Sequence, residues 1–290
     1  PGRDPADRAP AAIRRAVAGQ LGRARQRATA TVAGGVLGAE EGFELVAGLG
    51  LRHAAVLVPS FTEPVSLLRR SGARVTEVVG TAPWRLVDVC ADIPADADLV
   101  VVGNPTNPTS VSHRAGDVLS LRSGGRLLVV DEAFADLTGE SVADYRHDDL
   151  VVLRSVTKTF GLAGLRAGYL LAAPAVITKL TKRRRAWPVD SPTMVALRAC
   201  ASPQGQAYAA EQAAIVAVER AYLCGCLRAA GFTLPVPPAA PFGLARRGFA
   251  VRSAENFTGL SAQYLRFAVR ERSVVDDLSQ ALDSVMKEIA

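Results

Sequence analysis

Six short runs of aliphatic and β-branched residues recur between positions 54 and 172, and the pattern between them turns helical. They are Ala54–Val58 (AAVLV), Arg74–Val79 (RVTEVV), Leu99–Val102 (LVVV), Arg126–Val130 (RLLVV), Val151–Ser155 (VVLRS) and Ala167–Ala172 (AGYLLA). Continuous apolar runs, as opposed to strict alternation, indicate strands covered on both faces. Strands of that kind separated by helices form right-handed crossovers and pair in parallel. The pattern therefore predicts an α/β fold with a mostly parallel, doubly wound sheet. Thr62–Arg70 and His113–Arg122 read as crossover helices, and Ala39–Leu49 as a helix led in by the Gly-rich AGGVLG.

Both flanks read differently. Ala11–Arg25 is an arginine-studded helical pattern. Beyond Leu180, helical stretches over Thr193–Ala201 and Gly205–Ala230 precede the Pro-rich LPVPPAAP. Two strand-like pieces follow, Phe249–Arg252 and Tyr264–Val269, and then an amphipathic helix over Asp276–Ile289. We expect a large domain over residues 27–190 and a smaller α+β domain built from 1–26 and 191–290.

Composition narrows the function classes. The chain is 49% hydrophobic and 21% charged, enough to bury a core and too apolar for a mainly disordered chain. No apolar run reaches the roughly 18 residues of a membrane span, and the first ten residues hold no apolar signal core. A soluble, cytoplasmic protein is expected. The net charge of +6 raises nucleic-acid binding as an alternative. The basic residues are nevertheless scattered outside Lys182–Arg185, so nucleic acid is not the expected partner. Only four of the 34 basic residues are lysines (Lys158, Lys179, Lys182, Lys287), which makes a lysine in apolar surroundings conspicuous. Cys90, Cys200, Cys224 and Cys226 show no CxxC spacing, so neither a zinc site nor a disulfide framework is expected.

In a doubly wound sheet, ligands bind beyond the carboxyl ends of the strands. Here LVVV runs into Gly103-Asn104-Pro105-Thr106-Asn107-Pro108, RLLVV into Asp131-Glu132-Ala133-Phe134, and VVLRS into Val156-Thr157-Lys158. An amide, a carboxylate and an amine thus leave three strands at one edge, and Arg166 stands just before the next strand. An amine can condense with an aldehyde once desolvation favours its neutral form. A carboxylate can keep a pyridine nitrogen protonated. Ser155, Thr157, Arg166 and a helix N-terminus can supply donors to a phosphate. Read alone, Asp131 also suits a helix cap, Asn104 a turn, Phe61 and Phe134 core positions, and His53 and His113 structural roles.

NPTNP, VVDEAF and SVTKTFGLAGLRAGY, in that order, resemble the pyridoxal-phosphate enzymes of fold type I. Within them the chain is similar to aminotransferase class I/II, in the branch of histidinol-phosphate aminotransferases and threonine-phosphate decarboxylases. The resemblance runs from about Leu37 to Arg270. It implies pyridoxal 5'-phosphate as cofactor. Lys158 would hold the cofactor covalently and then shuttle the Cα proton. Asp131 would pair with the pyridinium nitrogen and Asn107 with the phenolic oxygen. Ser155, Thr157, Arg166 and the backbone at Gly38 and Ala39 would hold the phosphate, and Phe61 would stack on the ring. Arg266, in YLRFAVR, matches the arginine that takes the substrate's carboxylate or phosphate, with Arg252 as a second anionic contact. Trp187 is a further candidate for the substrate side.

The resemblance further implies a homodimer with active sites at the subunit interface, and amino transfer from a small amino acid or phosphorylated amino compound to a 2-oxo acid. Decarboxylation of threonine phosphate in cobalamin synthesis is the nearer alternative, and a basic nucleic-acid-binding protein on the same fold the remoter one. Two departures stand out. Many members have DEAY where this chain has DEAF, which removes a hydroxyl beside the cofactor, and PFGLARRGFAVR is short for the family's strand–helix–strand.

Overall fold

The structure is a computed structural model that describes residues 32–36, 38–145, 147–182, 184, 188–246 and 254–289. The helical pattern at Ala11–Arg25, the strand-like piece at Phe249–Arg252, and with them Arg252 and Trp187, lie outside the described residues.

Seven strands make the central sheet: β1 (Val32–Val36), β2 (His53–Val58), β3 (Arg74–Val79), β4 (Leu99–Gly103), β5 (Leu127–Asp131), β6 (Leu150–Ser155) and β7 (Gly168–Ala172). Their order across the sheet is β1-β7-β6-β5-β4-β2-β3. The pairs β2–β3, β2–β4, β4–β5 and β5–β6 are parallel, whereas β7 runs antiparallel to both β6 and β1. Strand β1 consequently points the same way as β2 to β6, and β7 alone is reversed. Its reversal brings the start of β7 to the edge where the other strands end. Val36 lies opposite Gly168, and Gly168 opposite Ser155.

The continuous apolar runs are explained by burial on two sides. Within each strand, alternate residues enter opposite cores, as the period of two requires. Ala55, Leu57, Val100, Val102, Leu128, Val130 and Val152 join one cluster. Ala54, Val56, Leu99, Val101, Val129, Val151 and Leu153 join the other. Helices α1 (Gly38–Ala47), α2 (Glu63–Arg70) and α4 (Pro174–Thr181) cover the second face through Phe43, Val46, Val65, Leu68, Val176 and Ile177. Helices α3 (Ala115–Leu119) and α5 (Ser191–Cys200) cover the first through Val118, Leu197 and Cys200. Each fully buried Val or Leu contributes roughly 1.5–3 kcal/mol, so the central strands anchor the fold.

The chain then continues through a long helix, α6 (Pro203–Ala229), a two-stranded antiparallel sheet of β8 (Phe242–Arg246) and β9 (Tyr264–Ala268), and α7 (Arg272–Ile289). Leu223, Leu227, Phe232, Leu265, Phe267 and Val275 form a separate core there. Strands β1 and β8 are additions to the sequence reading. VAGGV is weak in β propensity, and FGLAR emerges from a Pro-rich approach, so both are held by pairing with a distant partner. Among the described residues no helix is long and apolar enough to cross a membrane and no cluster of three or more His, Cys, Asp or Glu side chains could hold a metal ion.

Candidate active site

Beyond the carboxyl edge of the central strands lies a cavity of about 200 Å³, lined among others by Gly38, Ala39, Phe61, Asn107, Asp131, Ser155, Thr157, Lys158 and Arg166. All nine cofactor positions expected from the sequence therefore meet in one place. Topology explains the convergence. Gly103 pairs with Asp131 and Asp131 with Leu153, so the ends of β4, β5 and β6 lie side by side. The reversal of β7 adds Arg166 just ahead of Gly168, and the exit from β1 adds the N-terminus of α1.

Asp131 accepts a hydrogen bond from the Ala133 N–H at 3.0 Å, so a short turn fixes its carboxyl group. Burial pushes its pKa up to about 6, against the pull of that N–H and of the Lys158 charge, while Glu132 adds to the rise. A cation placed beside it would favour the ionised form. The Lys158 ammonium sits 5.6 Å from the centre of the Phe134 ring, where the family resemblance anticipated the loss of a hydroxyl. Phe134 in turn meets Phe242 edge-to-face at 5.1 Å.

A buried ion cluster lies behind these groups. Arg154 Nε is 2.9 Å from Glu132 Oε2 and Arg154 Nη1 2.5 Å from Asp136 Oδ1. Glu132 accepts from Ser141 Oγ at 2.7 Å and from the Val142 N–H at 2.6 Å. The Thr159 hydroxyl donates to Asp136 at 3.4 Å, which carries the network to the residue after Lys158. Burial opposes the Arg154 charge, but Tyr169, Glu132 and Asp136 outweigh it and raise its pKa.

Ser155 Oγ and Thr157 Oγ1 are 2.7 Å apart, and both residues line the cavity with Arg166. Arg166 adopts the left-handed backbone region at φ 48°, which swings it out of line with β7. A Cβ on Gly38 would come within 3.0 Å of Arg166 Nη2, and one on Gly168 within 2.7 Å of the Arg154 carbonyl and 3.0 Å of Gly38 Cα. Glycine at both positions lets the N-terminus of α1 close against the arginine. Two hydroxyls, a guanidinium and a helix N-terminus form a donor set suited to a phosphate. With Asp131 and Lys158 in the same cavity, the residues fit a small phosphorylated ring that carries a carbonyl group and a basic nitrogen.

Of the expected substrate residues, Arg266 reaches the site from β9. Its Nη1 donates to Asn107 Oδ1 at 2.9 Å, and its guanidinium lies 5.5 Å from the Phe242 ring centre. Phe61, 40% exposed, stands at the rim. Asn104 is a buried clamp: its amide accepts from the His113 N–H at 2.8 Å and donates to the His113 carbonyl at 3.1 Å. Burial lowers the His113 imidazole pKa to about 4, Asp117 acting against that fall. His53 is also buried, within 2.9 Å of Asp96 and 2.8 Å of Thr76. Neither histidine lines the cavity.

The sequence reading missed Glu40, which lines the cavity and bonds Arg166 at 3.2 Å. An acidic residue in a first helical turn reads as ordinary dipole pairing, and nothing local signals a partner 126 residues away.

The family described as aminotransferase class I and II matches residues 9–255. The chain is 45% identical over 271 residues to a histidinol-phosphate aminotransferase of Mycobacterium tuberculosis (strain ATCC 25618 / H37Rv), across 88% of this chain and 72% of that protein. It is 36% identical over 166 residues to a threonine-phosphate decarboxylase of Sinorhizobium sp, across 55% of this chain and 47% of that protein. Among solved structures, the histidinol-phosphate aminotransferase from Clostridium acetobutylicum shares the fold with a TM-score of 0.85 at 21% identity, over 96% of this chain and 89% of that one. The enzyme of that name from Sinorhizobium meliloti, in complex with pyridoxal-5'-phosphate, follows at 0.82 and 19% identity, over 97% and 82%.

Proposed function

The chain belongs to the aminotransferase class I and II family, and on that premise we propose that it moves the amino group of a phosphorylated amino compound, of the histidinol-phosphate kind, to a 2-oxo acid with pyridoxal 5'-phosphate. The observation that carries the reading is the meeting of Asn107, Asp131, Lys158 and Arg166, each from a different strand end, in one cavity. When bound, the cofactor supplies an electron sink that takes up the electrons of a bond broken at the substrate Cα.

The chain's own residues do the rest. Lys158 Nζ would hold the cofactor covalently and, when substrate takes its place, would hold the proton that leaves and returns at Cα. The Asp131 carboxylate keeps the ring nitrogen charged, and Asn107 Nδ2 donates to the ring's phenolic oxygen. Ser155, Thr157, Arg166 and the backbone at Gly38 and Ala39 anchor the phosphate. Phe61 packs on the ring and excludes water from that side. Arg266, tied to Asn107 at 2.9 Å, receives the substrate anion and thereby selects which bond at Cα is labile. A homodimer in the cytoplasm completes the reading. An exposed Phe61 at the cavity rim suits burial by a partner subunit, and free thiols at Cys90, Cys200, Cys224 and Cys226 suit a reducing compartment.

The second reading, decarboxylation of threonine phosphate, draws on the stretch shared with the Sinorhizobium protein and on Phe134 in place of a tyrosine. Incubation with histidinol phosphate plus 2-oxoglutarate, and separately with threonine phosphate, tests the choice. Keto-acid-dependent turnover supports amino transfer. Carbon dioxide released without a keto acid replaces it with the decarboxylase.

A further inference from the structure

The first turn of α1 carries two consecutive glutamates, Glu40 and Glu41, at the helix end that the phosphate reading needs. Their situations differ. Glu41 is locked in a two-pronged ion pair with Arg184, Nε to Oε1 at 2.7 Å and Nη2 to Oε2 at 2.8 Å, both side chains being close to 90% covered. Glu40 is half-exposed, faces the cavity, and holds Arg166 Nη2 at 3.2 Å. The same guanidinium group is packed over Gly38, whose missing Cβ leaves the space it occupies.

We propose that Glu40 is a built-in competitor for the phosphate cradle and sets how tightly the cofactor is held. The inference rests on the reading of this cavity as a pyridoxal-phosphate site. Without ligand, the cradle gathers the Arg166 charge and the partial positive charge of the α1 N-terminus. A carboxylate tethered one turn into the same helix neutralises both. A phosphate dianion seeks the same two partners and carries the same sign as Glu40, so the glutamate must give up Arg166 or be repelled while sharing it. The pair is exposed and therefore weak, which lets it yield without trapping the protein in its empty form. Glu41 cannot substitute, because its oxygens are held by Arg184 away from the cradle.

The test is a titration of cofactor-free wild type and Glu40→Gln with pyridoxal 5'-phosphate, with pyridoxal, and with inorganic phosphate. Protein fluorescence reports the first two, and the rise in melting temperature reports the third. Glutamine keeps the size of the side chain and an oxygen for Arg166 while removing the charge. The dissociation constant for pyridoxal 5'-phosphate should fall about three- to tenfold in the variant. The phosphate concentration giving half the thermal shift should fall by a similar factor, and pyridoxal affinity should not change. Unchanged or weaker binding of both phosphorylated ligands overturns the proposal, as does an equal gain for pyridoxal, which would place the effect outside the cradle. Folded wild type that binds none of the three, with Arg166→Gln behaving identically, overturns the cofactor reading itself.

Discussion

Replacing Asp131 by asparagine should make the cofactor-free protein more stable while crippling its chemistry. Asparagine keeps the volume and the oxygen that accepts the Ala133 N–H, so the turn at the end of β5 survives. What it removes is a carboxyl group whose pKa is raised by burial from 3.8 to about 6. A raised folded-state pKa means that the native protein binds more protons than the unfolded chain between these values. The resulting stability is complete below about pH 4 and is lost as pH rises to about 6. At about 1.4 kcal/mol for each pKa unit, the ionised carboxylate costs the folded state about 3 kcal/mol at pH 7. Urea denaturation of cofactor-free wild type and Asp131→Asn from pH 4 to pH 8 measures it. The two should agree near pH 4 and diverge to about 3 kcal/mol in favour of the variant by pH 7. The comparison must be between proteins, because His113 slopes the other way over nearly the same range. Single-turnover rates with cofactor should drop at least a hundredfold in the variant, since a neutral amide cannot hold the ring nitrogen charged. Parallel pH curves, or a variant less stable at pH 8, would refute the electrostatic argument. Near-normal turnover would reduce Asp131 to a structural turn residue.

Lys158→Ala should lose turnover entirely, and borohydride reduction of wild type with cofactor should label Lys158; peptide mass analysis that finds the label on Lys179 or Lys182 contradicts the assignment. Glu132→Gln leaves Arg154 short of a buried counter-charge, at a cost of roughly 3–5 kcal/mol, visible as a lowered urea midpoint even without cofactor. Gly168→Ala drives a Cβ to within 2.7 Å of the Arg154 carbonyl, which is backbone and cannot swing aside; a loss of both stability and cofactor affinity is expected, and wild-type values for both would contradict the close approach. His113 has a pKa depressed to about 4 by burial, so its contribution is present above about pH 6.5 and is lost as pH falls towards 4. His113→Gln should flatten that acid limb by up to about 3 kcal/mol, as read from the same urea series.

Legibility followed range in the sequence. Strands β2, β4, β5 and β6 were readable because burial on both faces writes itself into consecutive residues, and Asp131 and Lys158 were readable because they follow such runs within three residues. Arg166 was readable as a phosphate donor beside the next strand, whereas Asn107, which shares its loop with Asn104, and Gly38 needed the family resemblance. Strand β1 was invisible because Gly34 and Gly35 carry no β signal of their own. Strand β8 hid behind a proline-rich approach, and α4 passed unread although Pro174 stands at its first turn. Glu40 could not be found at all from spacing, because its meaning lies in a contact with Arg166. The link from Arg266 to Asn107 spans 159 positions and became apparent only once the small sheet was in place over the large one.

The pairing of β1 with β7 also sets a timetable for synthesis. Val36 finds Gly168, and Val32 finds Ala172, so the segment emerges from the ribosome long before its neighbour exists. At roughly 5–20 residues per second, the 136 positions from Val36 to Ala172 take about 7–27 s to make. A strand rich in valine and isoleucine left waiting that long would invite pairing with a foreign edge. VAGGV is a poor template for such capture. The glycines that weaken it in isolation keep the nascent chain quiet until residue 172 has been added, and only then can the cradle at Gly38 form.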